Sequence, residues 1–311
     1  MIALRRELAD ARNALQAAGF AAGWSAINAV PPALSSRGFT AFADRATARN
    51  GAGVRQLRRN LRRVLGPAAT EAELESAVAA GMRSYARYWL ETFRLPKMDK
   101  QDVADRTHAN TVGHEHVAAA LATGTGYIMA LPHMGNYDAA GVWAISRFGS
   151  FTTVAERLKP ESLFDRFLDY RRSLGMEVLA LSGGEAPPVS ILTQRLREGR
   201  GVCLVADRDL TNGGVEVDFF GARARMPGGP ALLSAMTGAH LLPVGIWFRG
   251  DGAWGQRIGP PIQIPDGKLR DRVRVGTQLL ADQFAAVISA HPSDWHMLQK
   301  LWIDDLPYSG A

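Results

Sequence analysis

Between residues 127 and 291 short apolar runs take turns with stretches of helical periodicity. The runs are Tyr127 to Leu131, Phe151 to Ala155, Met176 to Leu181, Gly201 to Ala206, Val215 to Phe219, Leu241 to Phe248 and Gln256 to Ile264. Each has the length and the punctuation of a strand. Helical patterns separate them over Asp138 to Arg147, Ser162 to Leu174, Val189 to Glu198 and Gly229 to Thr237, and a last one covers Arg270 to His291. Strands joined through helices are laid parallel by the crossovers, and the helices then cover the sheet. The alternation therefore predicts an α/β fold with a central, mostly parallel sheet. Ahead of it a helix is predicted from Glu71 to about Phe93, opened by the capping pair Thr70 and Glu73 and stopped by Pro96. With no internal repeat and no low-complexity linker, the economical division is an α/β domain over 66–311 and an amino-terminal helical extension over 1–65.

The composition, 47% hydrophobic and 21% charged, excludes a disordered or coiled-coil chain. Its charge is lopsided. Residues 1–65 carry 11 arginines against Glu7, Asp10 and Asp44, a surplus of +8, while the rest sums to −2. A basic end on a near-neutral body calls for an anionic surface as partner. No zinc-finger spacing, RNA-recognition motif or helix-turn-helix pattern accompanies the charge, so nucleic acid is not expected. Ala14 to Val30 is uncharged but rich in alanine and glycine, too weakly apolar for a spanning helix. A cleaved signal peptide also fits poorly, because Glu7 and Asp10 interrupt the basic start. A helix lying on a bilayer surface remains. Arg55, Arg58, Arg59, Arg62 and Arg63 beside Val54, Leu57, Leu61 and Leu65 form a basic amphipathic helix that suits either a lipid surface or packing on the body.

The chemistry concentrates in Ala130-Leu131-Pro132-His133-Met134-Gly135-Asn136-Tyr137-Asp138-Ala139-Ala140-Gly141. An apolar strand ends at a histidine, glycine and asparagine make a turn, and an aspartate opens a helix. Ligands bind α/β sheets at such strand-to-helix turns. With His133 in the turn and Asp138 in the first helical turn the two side chains can converge, and a carboxylate on one ring nitrogen would make the other a general base. The plain alternative is a histidine at a strand end and an aspartate serving a helix dipole.

His133, four intervening residues and Asp138 resemble the signature of the lysophospholipid acyltransferase superfamily. The segments Thr153 to Glu161, Val205 to Leu210, Gly214 to Gly221 and Ala290 to Gln299 resemble the actinobacterial phosphatidylinositol mannoside acyltransferases, relatives of the late acyltransferases of lipid A synthesis. The resemblance covers nearly the whole chain. It implies transfer of a long acyl group, typically palmitoyl, from acyl-CoA to a mannose 6-hydroxyl of a phosphatidylinositol mannoside, without a covalent acyl-enzyme. It also implies His133 as general base, Asp138 as its orienting partner, and Glu156, Arg171 and Asp207 as substrate-binding positions. Asp207 departs from the glutamate of the mycobacterial members by one methylene, and Arg172 competes with Arg171 for the same role. The plain account of these charges is an ion pair of Asp207 or Asp209 with Arg208 or Arg157. An acyl groove is expected beside Phe219-Phe220-Gly221 and Met226 to Pro230. No cofactor beyond the co-substrate acyl-CoA is implied, and the protein is expected to lie peripherally on the cytoplasmic face of the plasma membrane. The competing functions are a catalytically silent lipid-binding protein of this fold and an acyl-CoA thioesterase.

Other candidates carry less. His108, His114 and His116 with Glu115 lack metalloprotease spacing and read as surface histidines, so no metal is expected. His291 and His296 read as part of a packed carboxyl-terminal lid. Cys203, the single cysteine, lies within a predicted strand as an inert thiol. A Gly-x-Ser-x-Gly elbow and a phosphate loop are both missing from the sequence.

Overall fold

The computed structural model describes residue 24 and residues 27–157, 160–183, 186–209, 213–250 and 252–305. Three helices whose bounds lie within the described residues precede the sheet: α1 (Pro32–Arg49), α2 (Ala52–Leu65) and α3 (Glu71–Arg94). The α/β part follows as α4 (Lys100–His108), β1 (Thr111–Val112), α5 (Glu115–Ala122), β2 (Tyr127–Leu131), α6 (Tyr137–Phe148), β3 (Phe151–Ala155), α7 (Glu161–Ser173), β4 (Glu177–Ala180), α8 (Pro188–Arg197) and β5 (Gly201–Val205). It closes with β6 (Val215–Phe219), β7 (Ala222–Met226), α9 (Gly229–Thr237), β8 (His240–Phe248), β9 (Trp254–Ile258) and α10 (Leu269–Ala290).

Seven strands form one sheet in the order β1-β9-β8-β2-β5-β3-β4. Every neighbouring pair is parallel except the β8–β9 hairpin. All five residues of β2 are buried, as a strand covered on both faces requires. Ile128 and Ala130 point to one core, with Leu192 and Leu196 of α8 and Phe284 and Ile288 of α10. Tyr127, Met129 and Leu131 point to the other, with Trp143 of α6 and Val103 of α4. At about 1.5–3 kcal/mol for each fully buried large side chain, these two layers hold the sheet rigid. The α3 helix begins at the predicted capping box, the Thr70 side chain accepting from Glu73 N while the Glu73 carboxylate accepts from Thr70 N.

Two strands escape the sequence pattern and one is shorter than expected. β1 has only two residues, and β7, Ala-Arg-Ala-Arg-Met, buries small Ala224 beside Met226 while both arginines face out. The strand expected to run to Ile264 stops at Ile258, because Pro260 and Pro261 have no N–H to continue the ladder. β6 and β7 make a separate hairpin whose turn residues Phe220 and Gly221 both have positive φ, 51° and 73°.

The basic helix α2 packs on the body. Val54, Leu57 and Leu61 are buried, and the side-chain amide of Asn60 donates to the carbonyls of Met297 and Gln299. Arg58 pairs with Glu75, Arg62 with Glu71, and Arg63 with Asp305. Its aliphatic face is thus spent on the core and cannot enter lipid, contrary to one of the two readings of its sequence. An exposed face lies on α1, where Leu34 and Phe42 are 59% and 68% exposed. Arg37, Arg45 and Arg49 surround them at helical spacing. Among the described residues no helix is long and apolar enough to cross a membrane. Most of the Ala14 to Val30 stretch lies outside the described residues.

Candidate active site

Strand register brings the central pair together. β2 and β5 run parallel with Leu131 opposite Val205, and Ala206 N extends the ladder to Leu131 O at 2.9 Å. The residues two steps beyond those strand ends are His133 and Asp207. His133 Nδ1 lies 2.6 Å from Asp207 Oδ1, and His133 N donates to Oδ2 at 2.9 Å. Trp295 Nε1 donates to the same Oδ2 at 2.8 Å. Asp207 is fully buried, whereas the imidazole is 38% exposed. Burial alone would raise the Asp207 pKa, but the His133 charge and the hydrogen bonds from His133 and Trp295 outweigh it and hold the carboxyl below its ordinary range. An ionised carboxylate only accepts, so Nδ1 carries the ring proton and Nε2 is left as a base.

This corrects two expectations. Asp138 does not orient His133, because it is turned into the protein, 2% exposed, with Oδ1 3.2 Å from Arg171 Nε and Oδ2 3.3 Å from the Tyr88 hydroxyl. Asp207, expected to bind substrate, lies buried beneath the imidazole and takes the orienting contact instead. Arg157 pairs with Glu161, so the ion pair of Asp207 with a nearby arginine is replaced by the pair with histidine. Arg171 rather than Arg172 faces inward: Arg172 is exposed and lies 3.8 Å from Asp169 on its own helix. Burial works against the Arg171 charge, but Asp138 prevails and raises its pKa further.

The turn after β2 is tightly determined. Gly135 has φ +57°, and a Cβ there would come within 2.7 Å of Ile246 O. Asn136 caps α6 by accepting from Ala139 N at 3.0 Å, and its amide donates to Glu91 Oε2 at 2.7 Å. The segment 294–296 clamps the turn from the other side: Gly135 N donates to Asp294 O, and His296 N donates to His133 O at 2.7 Å.

Two cavities meet here. One, of about 270 Å³, is lined by His133, Tyr137, Glu156, Arg171, Arg208 and His296, with Tyr85, Trp89 and Phe167 among its aromatic walls. The second, of about 320 Å³, is mainly aliphatic, with Leu181, Val189, Leu192, Leu204 and Leu233 and the turn Pro227 to Pro230. Val154, Glu156, Val205 and Arg208 line both. The groove expected near Met226 to Pro230 thus has a counterpart, whereas Phe219 is buried in the core.

His296, expected in a packed carboxyl-terminal lid, is a wall of the histidine's cavity. The Ser84 hydroxyl is 2.6 Å from Asp294 Oδ1 and 2.9 Å from His296 Nε2. Its one proton goes to the carboxylate, so Nε2–H donates to the hydroxyl oxygen and Nδ1 is the acceptor. Burial, with His133 adding to it, pushes the His296 pKa down to about 3 and keeps the ring neutral. No sequence spacing could have joined Ser84 to residues more than two hundred positions away. Elsewhere, His108 accepts from Trp143 Nε1 and contacts the His114 ring. Among the described residues no group of histidine, cysteine or carboxylate side chains could hold a metal ion.

A family model described as bacterial lipid A biosynthesis acyltransferase matches residues 6–303. The phosphatidylinositol mannoside acyltransferase of Mycolicibacterium smegmatis (strain ATCC 700084 / mc(2)155) is 51% identical over 288 residues, covering 93% of this chain and 91% of the relative. That of Mycobacterium tuberculosis (strain ATCC 25618 / H37Rv) is 53% identical over 292 residues, covering 93% and 89%.

Proposed function

We propose, given that the chain belongs to the bacterial lipid A biosynthesis acyltransferase family and is an acyltransferase, that it moves a long-chain acyl group, palmitoyl, from acyl-CoA to the 6-hydroxyl of a mannose on a phosphatidylinositol mannoside. The observation that carries the reading is the His133–Asp207 pair at the mouth of an open cavity. In this reading Nε2 removes the proton of the mannose hydroxyl as its oxygen attacks the thioester carbonyl. Asp207 fixes the tautomer and stabilises the imidazolium. The tetrahedral adduct then expels the thiolate, and the imidazolium returns the proton to sulfur.

The two cavities divide the substrates by polarity. The aliphatic one suits the acyl tail, and the one with Glu156, Arg171 and His296 suits a sugar, whose hydroxyls need both donors and acceptors. Arg171 is committed to Asp138, so Glu156, which the structure leaves exposed on both cavities, is the more available of the two for a hydroxyl. No further cofactor enters the scheme. The exposed Leu34 and Phe42 among arginines on α1 favour a peripheral position on an anionic membrane surface, and the coenzyme donor favours its cytoplasmic face.

The test is an assay of the purified protein with palmitoyl-CoA and phosphatidylinositol mono- or dimannoside, reading both new ester and free fatty acid. Ester formation that is lost in His133→Ala supports the proposal. Free fatty acid alone assigns a thioesterase, and neither product assigns a lipid-binding protein.

A further inference from the structure

An acyl transfer needs a donor where the carbonyl oxygen becomes an oxyanion, and the turn beside His133 would be the ordinary source of one. Its first three backbone N–H groups after Pro132 are already used. His133 N donates to Asp207, Met134 N to Pro132 O and Gly135 N to Asp294 O. The Asn136 amide donates to Glu91, and the Arg171 guanidinium is held by Asp138.

The reacting carbon has to sit where the tail's cavity meets the hydroxyl's cavity. Of the four side chains that line both, Val154 and Val205 are aliphatic, Glu156 is an anion and Arg208 is the cation. Arg208 is half-buried and makes no hydrogen bond or ion pair among the described residues. It also follows directly on Asp207, whose carboxylate is anchored by three hydrogen bonds, so its backbone is fixed.

We infer that Arg208 is the oxyanion-stabilising catalytic residue, its guanidinium donating to the thioester carbonyl oxygen as the mannose oxygen attacks. The inference rests on the acyl-transfer reading above. As the new C–O bond forms, the carbonyl π pair moves onto oxygen beside Arg208, and the hydroxyl proton goes to His133 Nε2. When the pair returns, the C–S bond breaks and the thiolate leaves with that proton. A cation in a partly desolvated site gains strength as the oxygen becomes charged, which lowers the barrier more than it tightens the ground state.

The experiment is Arg208→Ala and Arg208→Lys in the full chain, with kcat, palmitoyl-CoA affinity and melting temperature measured alongside wild type. Arg208→Ala is expected to lower kcat by about 100- to 1000-fold, the usual cost of an oxyanion donor. Donor affinity should stay within about threefold, melting temperature should hold, and added guanidinium ion should recover part of the rate. Arg208→Lys should fall between the two. A kcat within about tenfold of wild type overturns the inference, as does a loss confined to palmitoyl-CoA affinity, which would give Arg208 to the coenzyme phosphates. A rate loss without recovery by guanidinium ion overturns it as well. If wild type makes no ester, the acyl-transfer reading itself fails, and the inference falls with it.

Discussion

Asp207 and Asp138 are both buried carboxylates next to the histidine's turn, yet their partners give them different duties. Asp207 accepts from three donors, two of them on His133, so its effect is on the imidazole. Asn cannot replace it: the amide nitrogen would face either His133 N–H and Trp295 Nε1–H or the ring Nδ1–H. Asp207→Asn is therefore expected to lower kcat by about 100- to 10,000-fold with a small change in stability, by analogy with a triad whose orienting carboxylate is lost. Steady-state kinetics beside a melting curve would decide it; near-normal turnover sinks the pairing. Asp138→Asn leaves Arg171 buried without its counter-charge. The expected result is a loss of about 3 kcal/mol of stability, partly restored in the double variant Asp138→Asn/Arg171→Met. Chemical denaturation of the three variants measures it, and an unchanged midpoint for Asp138→Asn would show the pair to be dispensable.

The histidine was legible in the sequence because a strand, a turn and a helix signal surround it. Its carboxylate partner was not, because that partner is set by which strands are neighbours. Asp138 lies five positions away and is the natural guess, whereas Asp207 lies 74 positions on and arrives only because β2 and β5 are paired in register.

At the scale of elements, the pattern of apolar runs located the long strands and the helices α6 to α10, but not the short helices α4 and α5. What it could not supply was the second side of each charge pair. The arginines of α2 looked free until α3 put Glu71 and Glu75 opposite them. β4 and α8 are tied in the same way: Arg195 Nη2 is 2.7 Å from Glu177 Oε1, Arg200 lies 3.2 Å from Oε2, and Thr152 of β3 also donates to this carboxylate. The hydrogen bond from Arg195, ahead of the burial that opposes it, lowers the Glu177 pKa to about 2. The unfolded chain should titrate this group near 4.3. Its folded pKa is the lower one, so the tie stabilises fully above about pH 5 and is lost as pH falls toward 2. Glu177→Gln should thus cost on the order of 1–2 kcal/mol at pH 7, after discounting for solvent screening, and the difference should close as the medium is acidified through that window. Denaturation midpoints at pH 7, 4 and 3 test the sign; a gap that widens on acidification is the contrary result.

Across the whole molecule, the described arginines of the basic end divide between paired and exposed ones. Of the 11 arginines in residues 1–65, Arg58, Arg62 and Arg63 are consumed by carboxylates in the fold, so they hold the body together rather than advertise its charge. Arg37, Arg45 and Arg49 remain exposed on α1, on the face that also presents Leu34 and Phe42. An aromatic and an aliphatic side chain set among guanidinium groups can enter the headgroup region while the charges hold phosphates. Each such arginine near an anionic surface contributes about 1 kcal/mol. Removing all three with Arg37→Gln, Arg45→Gln and Arg49→Gln should therefore weaken binding to phosphatidylinositol-containing vesicles by roughly 100-fold at low salt, and the gap should narrow as salt is added. Phe42→Ser should weaken binding with little salt dependence, because its contribution is apolar burial. Neither change touches the cavity, so turnover on a water-soluble short-chain donor and a free mannoside should be unchanged. Vesicle co-sedimentation at several salt concentrations, run beside that soluble assay, separates the two terms. Undiminished vesicle binding in both variants would move the membrane contact to another face of the molecule.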